Sequence, residues 1–151
     1  MASNAGLTVL LVDDSKTIRR SARGFLESEG YSVVTAVDGF EALSKVVEYR
    51  PALVFADIMM PRLDGYQTCA LIKNNADYRD IPVIMLSSKD GLFDKARARV
   101  VGSDDHLSKP FSAESLISAV RKHTAGKRKD SPKTGSAASG IAGQPAETSG
   151  A

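Results

Sequence analysis

Asp13, Asp14, Asp57, Ser87 and Lys109 are the residues whose types suit a common chemistry, provided the fold brings them together. Three clustered carboxylates repel one another and need a cation. No His or Cys stands among them, so the donors are hard oxygens of the kind that suits Mg²⁺. That ion commonly takes one or two carboxylates and leaves positions for water and phosphate oxygens. Three carboxylates against one Mg²⁺ and the Lys109 ammonium balance in charge before any reaction. An incoming phosphoryl group, its charge spread over equatorial oxygens, can then be held by metal and lysine. A carboxylate oxygen can attack the phosphorus in line and form an aspartyl phosphate, a bond that hydrolyses and so suits a timed signal. Taken singly, each residue has an ordinary explanation. Asp13-Asp14 can be a turn, Asp57 a loop residue, Ser87 an N-cap, and Lys109-Pro110 a surface lysine before a stiff turn.

What must gather them is a set of short apolar runs at 7–12, 31–36, 52–56 and 82–86, with a weaker candidate at 105–108. Continuous Val/Ile/Leu runs, rather than alternating ones, suit parallel strands covered on both faces. Helical patterns lie between them. Ile18, Ala22, Phe25 and Leu26 make one apolar stripe, which Ser15 can cap and Gly30 can end. Phe40, Leu43 and Val47 repeat the helical spacing, and Pro51 stops that segment. Further helices are expected over 64–75, 91–101 and 112–124, the last capped by Ser112. Leu92, Ala96 and Val100 are expected to face the core from one of them, as are Tyr66 and Cys69; Lys95, Arg99 and Lys122 are expected on the exposed side. Strand and helix alternate five times. The expected fold is α/β, a doubly wound five-stranded parallel sheet with helices on both faces. Ligands of such sheets bind beyond the carboxyl ends of the strands. Asp13-Asp14, Asp57, Ser87 and Lys109 sit at four such ends. Among the carboxylates, only Asp57 both ends a central strand and falls between the Asp13-Asp14 pair and Lys109.

Composition narrows the class. The chain has 151 residues, 42% of them hydrophobic, enough for one domain with a core. No apolar stretch reaches the roughly 18 residues of a membrane span. Residues 1–6 form a flexible start without the features of a signal peptide, so a cytoplasmic location is expected. Cys69 is the single cysteine, which excludes an intramolecular disulfide and a cysteine-built metal site. The net charge of +2 hints weakly at nucleic acid, but residues 125–151 supply all of it, and residues 1–124 balance at 16 basic and 16 acidic. The ordered domain is expected over 7–124. Residues 125–151, rich in Gly, Ser, Ala, Pro and Lys, are expected to be a disordered low-complexity tail.

Val12-Asp13-Asp14-Ser15, Asp57-Ile58-Met59-Met60-Pro61 with Asp64-Gly65, Ser87-Ser88 and Lys109-Pro110-Phe111 together resemble the response-regulator receiver family over about residues 7–124. The resemblance implies the flavodoxin-like (βα)5 fold and a role for each residue. Asp57 would accept the phosphoryl group. Asp14 would be the main carboxylate ligand of Mg²⁺, Asp13 would act largely through water, and the backbone carbonyl of Met59 would be a further ligand. Ser87 would hydrogen-bond the phosphoryl group and Lys109 would neutralise another of its oxygens. Pro61 and Asp64-Gly65 would shape the loop after Asp57. His106 stands where this family often carries a Tyr or Phe that swings inward with the Ser/Thr. It is therefore the expected switch partner of Ser87, with a fit that an imidazole alters. His123, near a helix end, reads as a favourable C-terminal charge.

Residues 57–75 and 81–111 are similar in particular to stand-alone receivers of the chemotaxis-like systems that control type IV pili and twitching motility. That implies a chemotaxis-type histidine kinase or phosphotransfer domain as donor and a pilus-associated protein downstream; a monomer is expected, though nothing in the sequence fixes the oligomeric state. Two other classes compete. A Mg²⁺-dependent aspartyl-phosphate phosphatase or phosphotransferase commonly carries a second Asp two residues after the nucleophile, where this chain has Met59. A transcription factor needs a helix-turn-helix domain after the receiver, and the residues after 124 are low-complexity. Lys127-Arg128-Lys129 offers charge without sequence specificity, so no specific nucleic acid is expected.

Overall fold

The computed structural model describes residues 6–88 and 93–126. Five strands and five helices alternate: β1 (Thr8–Val12), α1 (Lys16–Glu27), β2 (Ser32–Ala36), α2 (Gly39–Tyr49), β3 (Leu53–Asp57), α3 (Gly65–Lys73), β4 (Val83–Ser88), α4 (Lys95–Val101), β5 (Asp105–Lys109) and α5 (Ala113–Thr124). The sheet is fully parallel in the order β2-β1-β3-β4-β5. The expected doubly wound α/β architecture is therefore the observed one.

Side chains alternate across the sheet, and each face has its own core. Leu10, Val12, Val54, Ala56, Val83 and Met85 meet α2, α3 and α4 through Ala42, Val46, Tyr66, Cys69, Ile72 and Ala98. Val9, Leu11, Leu53, Phe55, Ile84 and Leu86 meet α1 and α5 through Ala22, Leu26, Leu116, Ala119 and Val120. A strand buried on both faces must be apolar at every position, which is why the three central strands read as unbroken runs. The edge strand β5, Asp-His-Leu-Ser-Lys, is only partly covered, and its sequence signal is correspondingly weak.

Local signals start the helices where expected. Ser15 accepts from the Ile18 N–H at 3.3 Å, and Ser112 forms a reciprocal capping box with Ser115. Asp64 does the same with Gln67 at the start of α3. Gly30, with φ 92°, lies just beyond α1. At α2 it is Arg50 in the left-handed region that caps the end, one residue before Pro51.

Two helix faces differ from expectation. In α2 the buried line is Gly39, Ala42 and Val46, whereas Phe40 and Val47 are 57% and 60% exposed. The small residues face inward because α2 sits close: a Cβ at Gly39 would lie 2.8 Å from both a Leu63 methyl and the Leu63 carbonyl oxygen. In α4 the expected inward line fails as well. Val100 is 84% exposed and Ala96 is exposed, while Ala98 is buried and Phe93 and Val101 pack against the core. The helix begins only at Lys95, capped by Asp94, and its alternating Ala and Arg give no apolar stripe to fix the phase. Leu92 and residues 127–151 lie outside the described residues. Lys95, Arg99 and Lys122 are exposed and Tyr66 and Cys69 are buried, as expected. No described helix is long and apolar enough to cross a membrane.

Cys69 is fully buried on α3, with Sγ 3.5 Å from the Val101 carbonyl oxygen. Burial pushes its thiol up to about 12, and the thiolate is the reactive form. The native protein is expected to be inert to Ellman's reagent and to titrate one thiol after denaturation. Rapid native labelling would contradict this packing.

Candidate functional site

β1 lies between β2 and β3, so the connections leave in opposite directions from β1 and β3, and a crevice opens over their carboxyl ends. Asp13 and Asp14 follow β1, Asp57 ends β3, Ser87 lies near the end of β4, and Lys109 ends β5. One carboxylate oxygen from each of Asp13, Asp14 and Asp57 falls within 4.8 Å of the others. Lys109 reaches in from the edge strand. Its Nζ donates to Asp13 Oδ2 at 3.0 Å and stands 3.3 Å from Asp57 Oδ2. Asp13 and Asp57 are buried and Asp14 is exposed. The site thus has a buried, lysine-bridged floor and one carboxylate at its mouth.

The loops hold these groups by short-range bonds. Asp13 Oδ1 accepts the Ser15 N–H at 2.9 Å, and the Asp13 carbonyl accepts Arg19 Nη1 at 2.8 Å. Asp57 Oδ1 accepts the Met59 N–H at 3.2 Å. Gly65 lets α3 begin directly against β3: its N–H donates to the Ile58 carbonyl at 3.3 Å, and a Cβ there would collide with the Asp57 carbonyl oxygen. Ser87 is 2% exposed, and its hydroxyl finds no hydrogen-bond partner among the described residues. A buried hydroxyl near the carboxyl end of β4 can offer a hydrogen bond to an oxygen.

Electrostatics agree with the geometry. Burial, then the neighbouring Asp13 charge, push the Asp57 carboxyl above its usual range, and the Met59 N–H and Lys109 offset this only in part. Burial alone would lower Lys109, but its contacts with Asp13 and Asp57 hold it above its ordinary value. One ammonium therefore faces an excess of negative charge. Three carboxylates less one lysine leave two negative charges, and the donors are all oxygen. That set fits a hard divalent cation such as Mg²⁺.

The remaining predicted residues lie further out. His106 is exposed, with its ring stacked on Phe93 at 4.1 Å and 15°. His123 Nε2 lies 2.9 Å from Asp105 Oδ2, so it pairs with the edge strand besides sitting in the last turn of α5. Sequence reasoning missed two supports. One is Arg19, whose bond back to the Asp13 carbonyl, six residues earlier, follows no regular helix spacing. The other is the Tyr66 hydroxyl, which accepts the Asp94 N–H at 2.7 Å and ties the first turn of α3 to the start of α4. Arg97 lies over the Tyr66 ring at 4.4 Å and reaches Asp64 at 3.4 Å, closing that tie.

Comparison with known proteins places this arrangement. Residues 9–121 match the response regulator receiver domain family. The chain is 62% identical over 118 residues to Protein PilG of Pseudomonas aeruginosa, covering 78% of this chain and 87% of that one. The solved structure of Vibrio cholerae chemotaxis protein CheY4 superposes with a TM-score of 0.74 at 33% identity, covering 78% of this chain and 98% of that one. The receiver domain of the Pseudomonas aeruginosa sensor histidine kinase PA1611, solved with a magnesium ion coordinated in its active-site cleft, gives a TM-score of 0.73 at 28% identity over 80% of this chain and 99% of that one. With its acidic crevice at the β1/β3 switch point and a lysine arriving from β5, the chain belongs to the response regulator receiver domain family.

Proposed function

We propose that Asp57 accepts a phosphoryl group from a histidine kinase or phosphotransfer domain, and that the chain acts as a signalling switch of a chemotaxis-like system governing type IV pili and twitching motility. The observation that carries the chemistry is the Lys109 ammonium bridging Asp13 and Asp57 on a buried floor. The similarity to PilG supports the system assigned.

Asp14, Asp57 and the Met59 carbonyl would hold Mg²⁺, with Asp13 acting through water. When bound, the ion offsets carboxylate charge and carries charge on the phosphoryl oxygens. The chain's own residues do the rest. The Met59 N–H holds one Asp57 oxygen, which fixes the plane of the carboxylate. An Asp57 oxygen attacks phosphorus in line as the P–N bond of a donor phosphohistidine breaks, and the imidazole leaves with the electron pair. Lys109 stays between Asp13 and Asp57 and takes up the charge of one equatorial oxygen. Ser87 donates its hydroxyl proton to another. The phosphoryl group satisfies that hydroxyl, drawing Ser87 toward the site, and His106 on the neighbouring strand can follow. The face of α4, β5 and α5, with Lys95, Arg99 and Lys122 exposed, then carries the signal to a pilus-associated partner. A preference of about 1.4 kcal/mol for the active form gives a tenfold shift. This reading makes the chain a cytoplasmic phospho-acceptor that takes part in its own phosphorylation and dephosphorylation.

The test is genetic. Asp57→Ala at the native locus is expected to abolish twitching zones while the protein accumulates normally. Charge reversal at Lys95 and Lys122 is expected to impair twitching with Asp57 labelling intact. Normal twitching with Asp57→Ala would remove the phosphorylation-dependent role.

A further inference from the structure

The first helix carries its charge in the orientation that disfavours it. Lys16, Arg19, Arg20 and Arg23 fall on its first two turns, with no acidic residue in the first turn and no basic residue in the last. The N-terminal end of a helix is already partially positive, so cations there oppose its dipole. The four side chains line one open depression together with Thr35. Arg23 is engaged, 3.3 Å from Glu27 and 3.1 Å from the Val33 carbonyl oxygen. Lys16, Arg19 and Arg20 have no carboxylate partner within 4.0 Å among the described residues. This is a local excess, because residues 1–124 balance at 16 basic and 16 acidic. One member of it is tied beside the site: Arg19 donates to the carbonyl of Asp13, whose carboxylate lies in the cluster with Asp57, and the exposed Lys16 and Arg20 flank it on the same helix.

An anionic phosphodonor must approach three carboxylates. The lysine in the floor offsets one of them. A cationic ridge at the rim offsets more of the field along the approach, and it does so in proportion to the charge of the donor. Resting on the reading of Asp57 as acceptor, we infer that Lys16, Arg19 and Arg20 form an electrostatic ridge that draws dianionic acyl phosphates to the site and so sets which small phosphodonors the chain accepts. In that reaction the bond from Asp57 Oδ to phosphorus forms as the bond from phosphorus to the acyl oxygen breaks. The carboxylate leaves with the electron pair, and no proton need move.

The experiment uses the full chain with Mg²⁺ and two donors, dianionic acetyl phosphate and monoanionic phosphoramidate, with phosphorylation followed by intact mass. Lys16→Glu/Arg20→Glu is expected to slow acetyl phosphate about threefold at low salt and phosphoramidate distinctly less. The gap should close at about 0.5 M salt, where exposed charges are screened within a few ångströms. Lys16→Gln/Arg20→Gln should fall between wild type and the reversal. A carboxylate at position 16 suits the helix start, so the Tm of the reversed variant should be no lower than that of the wild type. Slower reaction without lost stability separates a field from a packing defect. Equal rates for variant and wild type, equal slowing with both donors, or slowing that salt does not remove would each overturn the inference. A wild type that neither donor labels would overturn the acceptor reading and this inference with it; a labelled wild type with no variant effect overturns the inference alone.

Discussion

Lys109→Met is expected to cost about 3 kcal/mol of folding stability at pH 7 in metal-free buffer, a Tm loss of about 10 °C. The Lys109 side chain is 18% exposed and stands 3.0 Å from Asp13 and 3.3 Å from Asp57, whose side chains are 0% and 5% exposed. Methionine fills similar space, so the loss comes from two buried carboxylates left without a cation. The pH dependence has a definite sign. Asp57 has a folded pKa above its ordinary value, chiefly from burial and then from Asp13, so the folded state binds more protons and stability falls as pH rises through that window. Without Lys109 the repulsion grows and the fall steepens. Because the Asp57 carboxyl takes up its proton early as pH falls, acid removes one of the stranded charges, and the gap between variant and wild type should narrow. Lys109 is itself raised, so its contribution is fully present below the ordinary lysine value and is lost only as pH rises beyond it. Added Mg²⁺ should return part of the variant's stability. A loss under about 1 kcal/mol at pH 7, or one unchanged by acid, would contradict the charge balance described for this site.

Gly65→Ala is expected to be nearly as damaging, at about 3 kcal/mol or more. Its Cβ would overlap the Asp57 carbonyl oxygen and lie 2.8 Å from Ile58 Cα. Those are main-chain atoms of the strand end that presents the acceptor, so relief means moving Asp57. The same change at Gly24, an exposed position of α1 with nothing within 4 Å, should instead stabilise by about 1 kcal/mol, since alanine is the better helix former. Thermal or urea unfolding of the pair decides the matter. Two effects of the same sign would show that close approach, and not helix propensity, has been misjudged at one of the two positions.

The contrast between those glycines marks where sequence reading succeeds. The central strands were legible because burial on both faces demands apolar residues throughout, and the carboxyl ends of those strands then named Asp13, Asp14, Asp57 and Ser87 as neighbours. β5 was faint because an edge strand with a single large apolar residue, Leu107, has little to announce it. Helix existence was legible in α2, but its face was not. The pattern followed the largest side chains, Phe40 and Val47, whereas the close approach at Gly39 selects the smallest, Ala42 among them. In α4 the Ala-Arg alternation carries no phase at all. The bond from Asp94 to Tyr66 joins residues 28 apart whose contact depends on packing, and the one from Arg19 back to Asp13 depends on how the chain turns into α1, so neither follows a regular spacing.

The central claim is that Asp57 is the acceptor, and its most direct test is chemical trapping. The full chain is treated with acetyl phosphate and Mg²⁺, reduced with borohydride, and digested for mass spectrometry. Reduction converts an aspartyl phosphate to homoserine. Conversion is expected at residue 57 and at no other carboxylate, and none is expected in Asp57→Asn. Conversion at Asp13 or Asp14 in the wild type, or equal phosphoryl incorporation by Asp57→Asn, would contradict the assignment.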